Sequence, residues 1–294
     1  MAATDHAARV EELLDFVAAH PTRRLDRQSA GWVIDEIGLR NDNLVELSDE
    51  GRRFLVAVLF ADMDNPAAAA ELYVLGYAPS LGTAEQLDGL VTWAEDRARL
   101  SQARGLEVSL LPVLGPLELV LRNRGYELAY RLLFMQLDDL AASPLLGHEP
   151  PADLHFVDLS EANVDAGHEC YRRAFAATSG SQIPDRELFR EVMVKAEHKP
   201  RQLMSGTRVV AFSRVTWQDE AARLGEVRTV ARDPDFPRKG LGTAALAEGL
   251  RTLQRLGATS ACLEVASDNV AAVGLYQKHG FRTDEVAQVF RRAL

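Results

Sequence analysis

The stretch Asp235-Phe-Pro-Arg-Lys-Gly-Leu-Gly-Thr-Ala-Ala-Leu246 decides the fold of this chain. Two glycines, Gly240 and Gly242, stand directly before a segment whose composition predicts a helix. Glycine lets the backbone turn tightly and approach a ligand with no side chain in the way. The free amides at the start of the following helix favour an anion, and Arg238 and Lys239 add positive charge at the same place. The stretch therefore predicts a pyrophosphate-binding site.

The glycine loop by itself allows more than one interpretation. It also matches the loose dinucleotide-binding fingerprint, with glycines at positions one and three and a small residue at position six. That fingerprint requires further parallel strands and an acidic residue about 20 positions on. Only one strand and one helix follow before the terminal strand, and Glu264 is the nearest acidic residue that roughly fits. The dinucleotide interpretation is therefore disfavoured.

A second motif, Asn269-Val-Ala-Ala-Val-Gly-Leu-Tyr-Gln-Lys-His-Gly-Phe281, follows a strand-like segment at residues 261–266. The two motifs together resemble those of the GNAT superfamily, the acyl-CoA-dependent N-acyltransferases. The second motif is similar to that family's asparagine, alanine, leucine-tyrosine and glycine-phenylalanine pattern. The glycine loop is similar to that family's pyrophosphate loop. The family pattern there is Gln or Arg, then any two residues, then Gly, then any one residue, then Gly or Ala. The opening Gln or Arg falls on Pro237, which has no amide to offer. The resemblance covers roughly residues 152 to 294.

This resemblance implies acetyl-CoA as co-substrate and a set of residues that contact it. The pantetheine arm would bond the backbone of Val230, Ala231 and Arg232 on the strand before the loop, where a backbone amide would polarise the thioester carbonyl. Asn269 is expected to cap its helix, and in the family it also contacts the pantetheine arm. The pyrophosphate would lie against the loop and the helix start, at Arg238, Lys239, Gly240, Leu241, Gly242 and Thr243.

Two residues are candidates for proton transfer. Glu226 precedes Gly240 by 14 residues, a spacing similar to that of the general-base glutamate in the histone-acetylating branch of the superfamily, and it would accept the amine proton. The alternative is a strand-edge glutamate in a surface ion pair. Tyr276 falls on the family's tyrosine, which resembles the general acid toward the departing thiolate, because a phenol carries a suitable proton. The alternative is a helix tyrosine that packs on the sheet.

Breaker residues at positions 141–151 predict a linker between two domains, 1–144 and 152–294. Landmarks recur in both halves: Pro79 to Gly125 spans 46 residues, and Pro234 to Gly280 also spans 46. We therefore predict an α/β (α+β) fold with two tandem GNAT-like domains, each a mixed twisted sheet flanked by helices. The first domain is expected to be degenerate, because its loop has a single glycine and Arg122 replaces the second domain's tyrosine. The second domain would be catalytic.

The charge distribution excludes one class of partner. The net charge is −10, and residues 1–150 hold 13 arginines and 24 acidic residues, so a nucleic-acid partner is not expected. The surplus of acidic residues in this half either keeps the chain in solution or draws a cationic amine toward the protein.

The remaining sequence features indicate the compartment. No apolar run is long enough for a membrane span, and the first residues lack a signal-peptide pattern. The two cysteines and seven histidines show no metal-ligand spacing, so no metal is expected. These features predict a reduced, cytoplasmic protein.

The sequence thus predicts an N-acetyltransferase that moves acetyl from acetyl-CoA to a primary amine of a small molecule or peptide, by direct transfer in a ternary complex. The acceptor and the oligomeric state are left open. A narrower interpretation is an enzyme that resembles mycothiol synthase, which also has two such domains in a chain of similar size. A different class, a non-catalytic acyl-CoA-binding or partner-binding protein, is the alternative.

Overall fold

The computed structural model of the chain describes residues 3–22, 27–61, 69–79, 81–176, 178, 183–236 and 240–294, with the side chains of 3–4 and 27–29 outside this description. The chain divides into an N-terminal unit, Met1–Arg131 with Val286–Leu294, and a C-terminal unit, Leu132–Glu285. The strands in chain order are β1 (Leu44–Asp49), β2 (Arg52–Phe60), β3 (Ala70–Tyr77), β4 (Gly105–Leu110), β5 (Glu127–Leu137), β6 (His155–Asp158), β7 (Arg201–Ser205), β8 (Arg208–Asp219), β9 (Leu224–Arg232), β10 (Ser260–Ala266) and β11 (Arg282–Ala293).

The helices follow in the same order. The α-helices are α1 (Ala3–Ala19), α2 (Arg27–Trp32), α3 (Ala84–Leu100), α4 (Gly115–Asn123), α5 (Val164–Phe175), α6 (Arg186–Val194), α7 (Leu241–Leu256) and α8 (Val270–Lys278). A π-helical segment, Val33–Leu39, continues from α2, and 3-10 turns occupy Pro112–Leu114 and Pro144–Gly147.

The N-terminal unit is a mixed sheet in the order β1-β2-β3-β4-β11. The β3–β4 pair is parallel, and the other neighbours are antiparallel. Strand β2 is apolar and fully buried over residues 54–59, as expected for a strand that is covered on both faces. Helices α3 and α4 bury their apolar sides in one core cluster, and α1 with the π-helical segment forms the other.

The C-terminal unit is a second mixed sheet, in the order β5-β10-β9-β8-β7-β6. The β9–β10 pair is parallel, and the remaining pairs are antiparallel. The apolar residues of α7 and α8 form a core with one face of this sheet, and α5 and α6 pack against the other face. The mixed sheet flanked by helices that the sequence predicts for this half is confirmed. The sequence also predicts strands at residues 201–205 and 224–232, and these are the observed bounds of β7 and β9.

Helix α7 has a glycine at each end in the left-handed conformation. Gly240 precedes its first residue with φ 87°, and Gly257 follows its last residue with φ 95°. The predicted C-terminal glycine cap at Gly257 is therefore confirmed. The helix begins at Leu241, two residues before the predicted start at Thr243, because Gly240 supplies the reversal directly before the first turn.

The two units repeat one arrangement of strands. In each, a parallel ladder of only three residue pairs joins two central strands: β3 with β4, and β9 with β10. In each, the antiparallel ladder beside it is interrupted by a bulge. The tandem repeat of one fold is thereby confirmed. The limits 1–144 and 152–294 stay a prediction. The compact N-terminal unit is discontinuous, because residues 286–293 of β11 belong to it.

Candidate active site

The two parallel strands of the C-terminal unit separate within their length. Their ladder ends at the pair Cys262↔Glu226, while β9 runs on to Arg232. On its other edge β9 stays paired with β8, and the Asp233 amide donates to the Val210 carbonyl at 2.9 Å. Backbone groups alternate between the two edges of a strand.

This alternation identifies which backbone groups of β9 face the gap that opens between β9 and β10 beyond Glu226. Ala231 pairs with Phe212 of β8, and its side chain is buried. Its neighbours Val230 and Arg232 therefore direct their N–H and C=O groups to the edge that faces β10. These two backbones can bond an extended ligand arm between the strands.

The start of α7 lies directly beyond this strand. The Ala244 amide donates to the Gly240 carbonyl at 2.9 Å, and no side chain caps the helix. The three amides before Ala244, those of residues 241–243, have no partner within the helix. Among the described residues, a Cβ built on Gly240 would meet no atom within 4 Å, and one on Gly242 would lie 3.5 Å from Leu275.

Open space therefore lies in front of a helix start that is suited to an anion. The Leu241 side chain is fully buried and anchors this turn. Arg238 and Lys239, predicted to bind the pyrophosphate, lie outside the described residues, as does Pro237.

Glu226 lies on β9 with only 5% of its surface exposed. The Arg228 guanidinium donates to both of its carboxylate oxygens, at 3.4 and 3.2 Å. Burial raises the pKa of Glu226, Arg228 opposes that shift, and Glu264 on β10 adds to it. The carboxylate is thus a buried group at the point where the strands part, and its ion-pair partner Arg228 is the exposed member.

Tyr276 lies on α8 and is 7% exposed. Its ring packs 5.9 Å from that of Phe281, between centroids, within the core that α7 and α8 share. Burial raises its pKa to about 12, so the phenol keeps its proton at neutral pH. The side chain therefore packs on the sheet, and its hydroxyl stays protonated; its role as a general acid stays a prediction.

Asn269 caps α8, as predicted. Its side-chain oxygen accepts a hydrogen bond from the Ala272 amide at 3.2 Å, which satisfies one of the free donors at the helix start. Contact with a pantetheine arm stays a prediction for this residue.

The sequence prediction missed the neighbours of Glu226. Arg228 could have been found, because residues two apart on a strand share a face, although a bulge falls at this position. Arg214 lies on β8 and Tyr171 lies on α5. The register of β8 against β9 and the packing of α5 on the sheet bring them to the face that carries Glu226. Burial and the neighbouring Arg228 lower the pKa of Arg214; burial raises the pKa of Tyr171.

Among the described residues, no group of three or more His, Cys, Asp or Glu could hold a metal ion. No helix in that same part combines the length and the apolar character that a membrane crossing requires.

Comparison with known proteins shows similarity to one family over part of the chain. Residues 165–281 match the Acetyltransferase (GNAT) family. A mycothiol acetyltransferase of Geodermatophilus obscurus is 44% identical over 70 residues, which are 24% of this chain and 23% of that protein. One from Clavibacter michiganensis subsp. michiganensis is 29% identical over 174 residues, 58% of this chain and 56% of that protein. The matches thus span about half or less of these relatives.

Solved structures share the fold over nearly the whole chain. A GCN5-related N-acetyltransferase from Sphaerobacter thermophilus superposes with a TM-score of 0.70 at 15% identity, covering 91% of this chain and 85% of that one. A tandem GNAT protein from the clavulanic acid biosynthesis pathway gives 0.69 at 14% identity, covering 97% and 94%. Residues 165–281 are thus similar to GNAT acetyltransferases, and the fold of nearly the whole chain is similar to that of a tandem GNAT protein.

Proposed function

We propose that this protein is an N-acetyltransferase that transfers acetyl from acetyl-CoA directly to the primary amine of a small molecule or peptide. The observation that carries the proposal is the position of the buried Glu226 carboxylate. It lies where β9 and β10 part, on the strand that leads to the uncapped start of α7.

The residues present fit acetyl-CoA as a substrate. The backbones of Val230 and Arg232 offer hydrogen bonds on the edge of β9 that faces the gap, while Ala231 between them stays paired with β8. The amides of residues 241–243 would hold the pyrophosphate, because open space lies in front of Gly240. Arg238 and Lys239 would add charge, and Asn269 would contact the pantetheine arm.

Glu226 and Tyr276 would move the protons of the reaction. The amine nitrogen attacks the thioester carbonyl, a C–N bond forms and the C–S bond breaks. Glu226 accepts the proton that the amine loses, and its raised pKa makes it a stronger base than an exposed glutamate. The Tyr276 hydroxyl donates a proton to the departing sulfur. Backbone amides of β9 would stabilise the negative charge on the carbonyl oxygen.

We further propose that the N-terminal unit is degenerate and binds no CoA. Leu75 and Tyr77 on β3 stand 155 residues before Val230 and Arg232. The Thr22 amide donates to the Leu75 carbonyl at 3.3 Å, and the Tyr77 amide donates to the His20 carbonyl at 2.9 Å. The edge of β3 that faces β4 is therefore already hydrogen-bonded by residues 20–22.

The helix start in the N-terminal unit is also satisfied internally. Thr83 and Gln86 form a capping box: the Gln86 amide donates to the Thr83 hydroxyl at 3.3 Å, and the Thr83 amide donates to the Gln86 side chain at 2.8 Å. A Cβ on Gly82 would lie 2.5 Å from the Phe54 ring, whereas the space before Gly240 is open. Arg122, at the position of the tyrosine in the other unit, stacks over the Phe290 ring at 4.8 Å.

A narrower candidate is a mycothiol acetyltransferase activity, which the similarity to proteins of that name favours. Release of free CoA, measured against a panel of amines that includes the acceptor of those enzymes, tests both the general and the narrower proposal. Calorimetry with acetyl-CoA separates them from a non-catalytic binding role. Tight cofactor binding with no thiol release from any amine would support that alternative.

A further inference from the structure

One face of the C-terminal sheet carries a cluster of charged side chains beside Glu226. Along β8, Ser213 and Val215 face α7, because both approach Gly249 of that helix. Arg214 lies between them and points to the opposite face. Phe212 is on that opposite face too, in the core with α5 and α6. Arg214 therefore lies on the α5 side of the sheet.

Glu226 lies on this same face. Its neighbour Val227 contacts Gly249 on the α7 side, so the Glu226 side chain points to the α5 side. In the β8–β9 ladder, Thr216 pairs with Glu226 and Arg214 pairs with Thr229. Arg214 is thus two positions along β8 from the residue opposite Glu226, about 7 Å along the strand.

Among the described residues on this face, one guanidinium has no direct ion-pair partner. Arg228 donates to Glu226, and Glu264 on β10 is close enough to influence Glu226. Within the described part of the chain, Arg214 makes neither an ion pair nor a hydrogen bond. The undescribed residues of the C-terminal unit, 177, 179–182 and 237–239, contain no Asp or Glu. Glu226 is near enough to act on Arg214 electrostatically, but its carboxylate is hydrogen-bonded by Arg228, and no carboxylate among the described residues of the unit bonds Arg214 directly.

A half-buried arginine that lacks an anion is costly to keep, because its charge is partly removed from water. A planar guanidinium binds a carboxylate or phosphate through two parallel hydrogen bonds. The Tyr171 ring, which packs against Phe212 and Phe189, forms the apolar wall next to this face. The geometry suits an acceptor with an amine at Glu226 and an anionic group a few bonds away.

We propose that Arg214 binds an anionic group, a carboxylate or a phosphate, on the acceptor amine, so that the acceptor class is an anionic amine such as an α-amino acid. This inference rests on the proposed acetyltransferase function. It differs from the expectation that a simple cationic amine is the acceptor, because such an amine would leave Arg214 without its counter-ion.

The test uses the full chain and amines in matched pairs. Each α-amino acid is compared with its amide, and O-phosphoethanolamine is compared with ethanolamine. The preferred member, which carries the anionic group, should show at least a tenfold higher kcat/KM than its counterpart without that group, mainly through a lower KM. If the ratio of kcat/KM values is larger for the amino-acid pairs, the preferred group is a carboxylate; if it is larger for the phosphoethanolamine pair, the preferred group is a phosphate. Arg214→Met should reduce the ratio to within about twofold while acetyl-CoA affinity is unchanged, since the loss is one charge-assisted contact.

Two further variants and one binding measurement complete the design. Arg214→Lys keeps the charge without the planar fork and should keep part of the preference. Arg172→Met, an exposed arginine on α5, is the matched control and should keep all of it. Calorimetry of the N-acetylated products with the CoA-loaded protein gives a readout without turnover.

Three outcomes would overturn the inference and leave the proposed function intact. The amines without the anionic group could be used as well as or better than their partners, the N-acetylated products of both members of a pair could bind equally well, or Arg214→Met could keep the preference for the anionic group. Failure of acetyl-CoA to bind, or of any amine to be acetylated while acetyl-CoA binds, would instead count against the proposed function.

Discussion

Glu226 and Cys262 are the last residues that pair in the parallel ladder between β9 and β10. The buried carboxylate therefore stands at the point where the strands separate and where backbone groups of β9 become available. This relationship places the proposed base and the proposed binding edge on one strand, because the residues that would form that edge follow Glu226 on β9. The following predictions test what the arrangement does.

Gly242→Asp should weaken acetyl-CoA binding by more than tenfold, about 1.4 kcal/mol or more. The substitution places a carboxylate at the second position of α7, where the pyrophosphate is expected. An acidic residue in the first turn stabilises a helix, so the fold should remain intact. Gly242→Ala is the control: its Cβ would lie 3.5 Å from Leu275, an ordinary contact, and affinity should change little. Calorimetry measures both, and equal affinities for the two variants would contradict the assignment.

Titration of the full chain with acetyl-CoA should saturate at one equivalent. Among the described residues, the edge of β3 and the start of α3 are already hydrogen-bonded within the N-terminal unit, so we expect acetyl-CoA to bind the C-terminal unit. The variant Gly242→Asp sharpens the experiment, because a second site would remain in it at full affinity. A stoichiometry near two, or one undiminished equivalent in the variant, would show that the N-terminal unit binds the cofactor.

Tyr276→Phe should lower kcat by about 10²-fold or more, the usual contribution of a general acid, and leave the affinity for acetyl-CoA nearly unchanged. Phenylalanine keeps the ring that packs against Phe281, so thermal stability should also change little. Single-turnover rates and calorimetry provide the two readouts. Full turnover on an accepted amine would mean that the hydroxyl has only a packing role.

Glu226→Gln should remove the rising limb of the kcat/KM profile against pH, because the variant has no base to deprotonate. In the unmodified protein that limb should lie above the ordinary glutamate pKa of about 4.3, since burial raises the pKa of Glu226. The facing groups that also act on it are Arg228, Arg214 and Glu264. A limb that persists in the variant would identify another base.

The same pKa shift predicts a difference in stability. A buried carboxyl with a raised pKa holds its proton more tightly in the folded state than in the unfolded state. The stability that Glu226 contributes is therefore full below the unfolded pKa and is lost as the pH rises through the folded pKa. Denaturant melts measure the free energy of unfolding of the protein and of Glu226→Gln at each pH. The unmodified protein should lose stability relative to the variant as the pH rises from the unfolded pKa of Glu226 through its folded pKa. A difference independent of pH would contradict the burial effect.

Local signals in the sequence were sufficient for much of this fold. Gly257 ends α7, Asn269 caps α8, and β9 has the predicted bounds, because caps and strand periods are set by neighbours along the chain. Arg214 was missed because its position beside Glu226 depends on the register of β8 against β9. The role of residues 20–22 was missed for the same reason, since their partners lie more than 50 residues away.

The position of β11 has a consequence for the order in which the protein folds during synthesis. Gln288–Ala293 pair with β4 and belong to the N-terminal unit. The unit that leaves the ribosome first therefore lacks a strand until the chain has been translated beyond the whole C-terminal unit. Domains usually fold in the order of synthesis; here the earlier unit must wait, with the edge of β4 unpaired, for the later one. This topology should therefore increase the need for chaperones during translation rather than change the final stability of the protein.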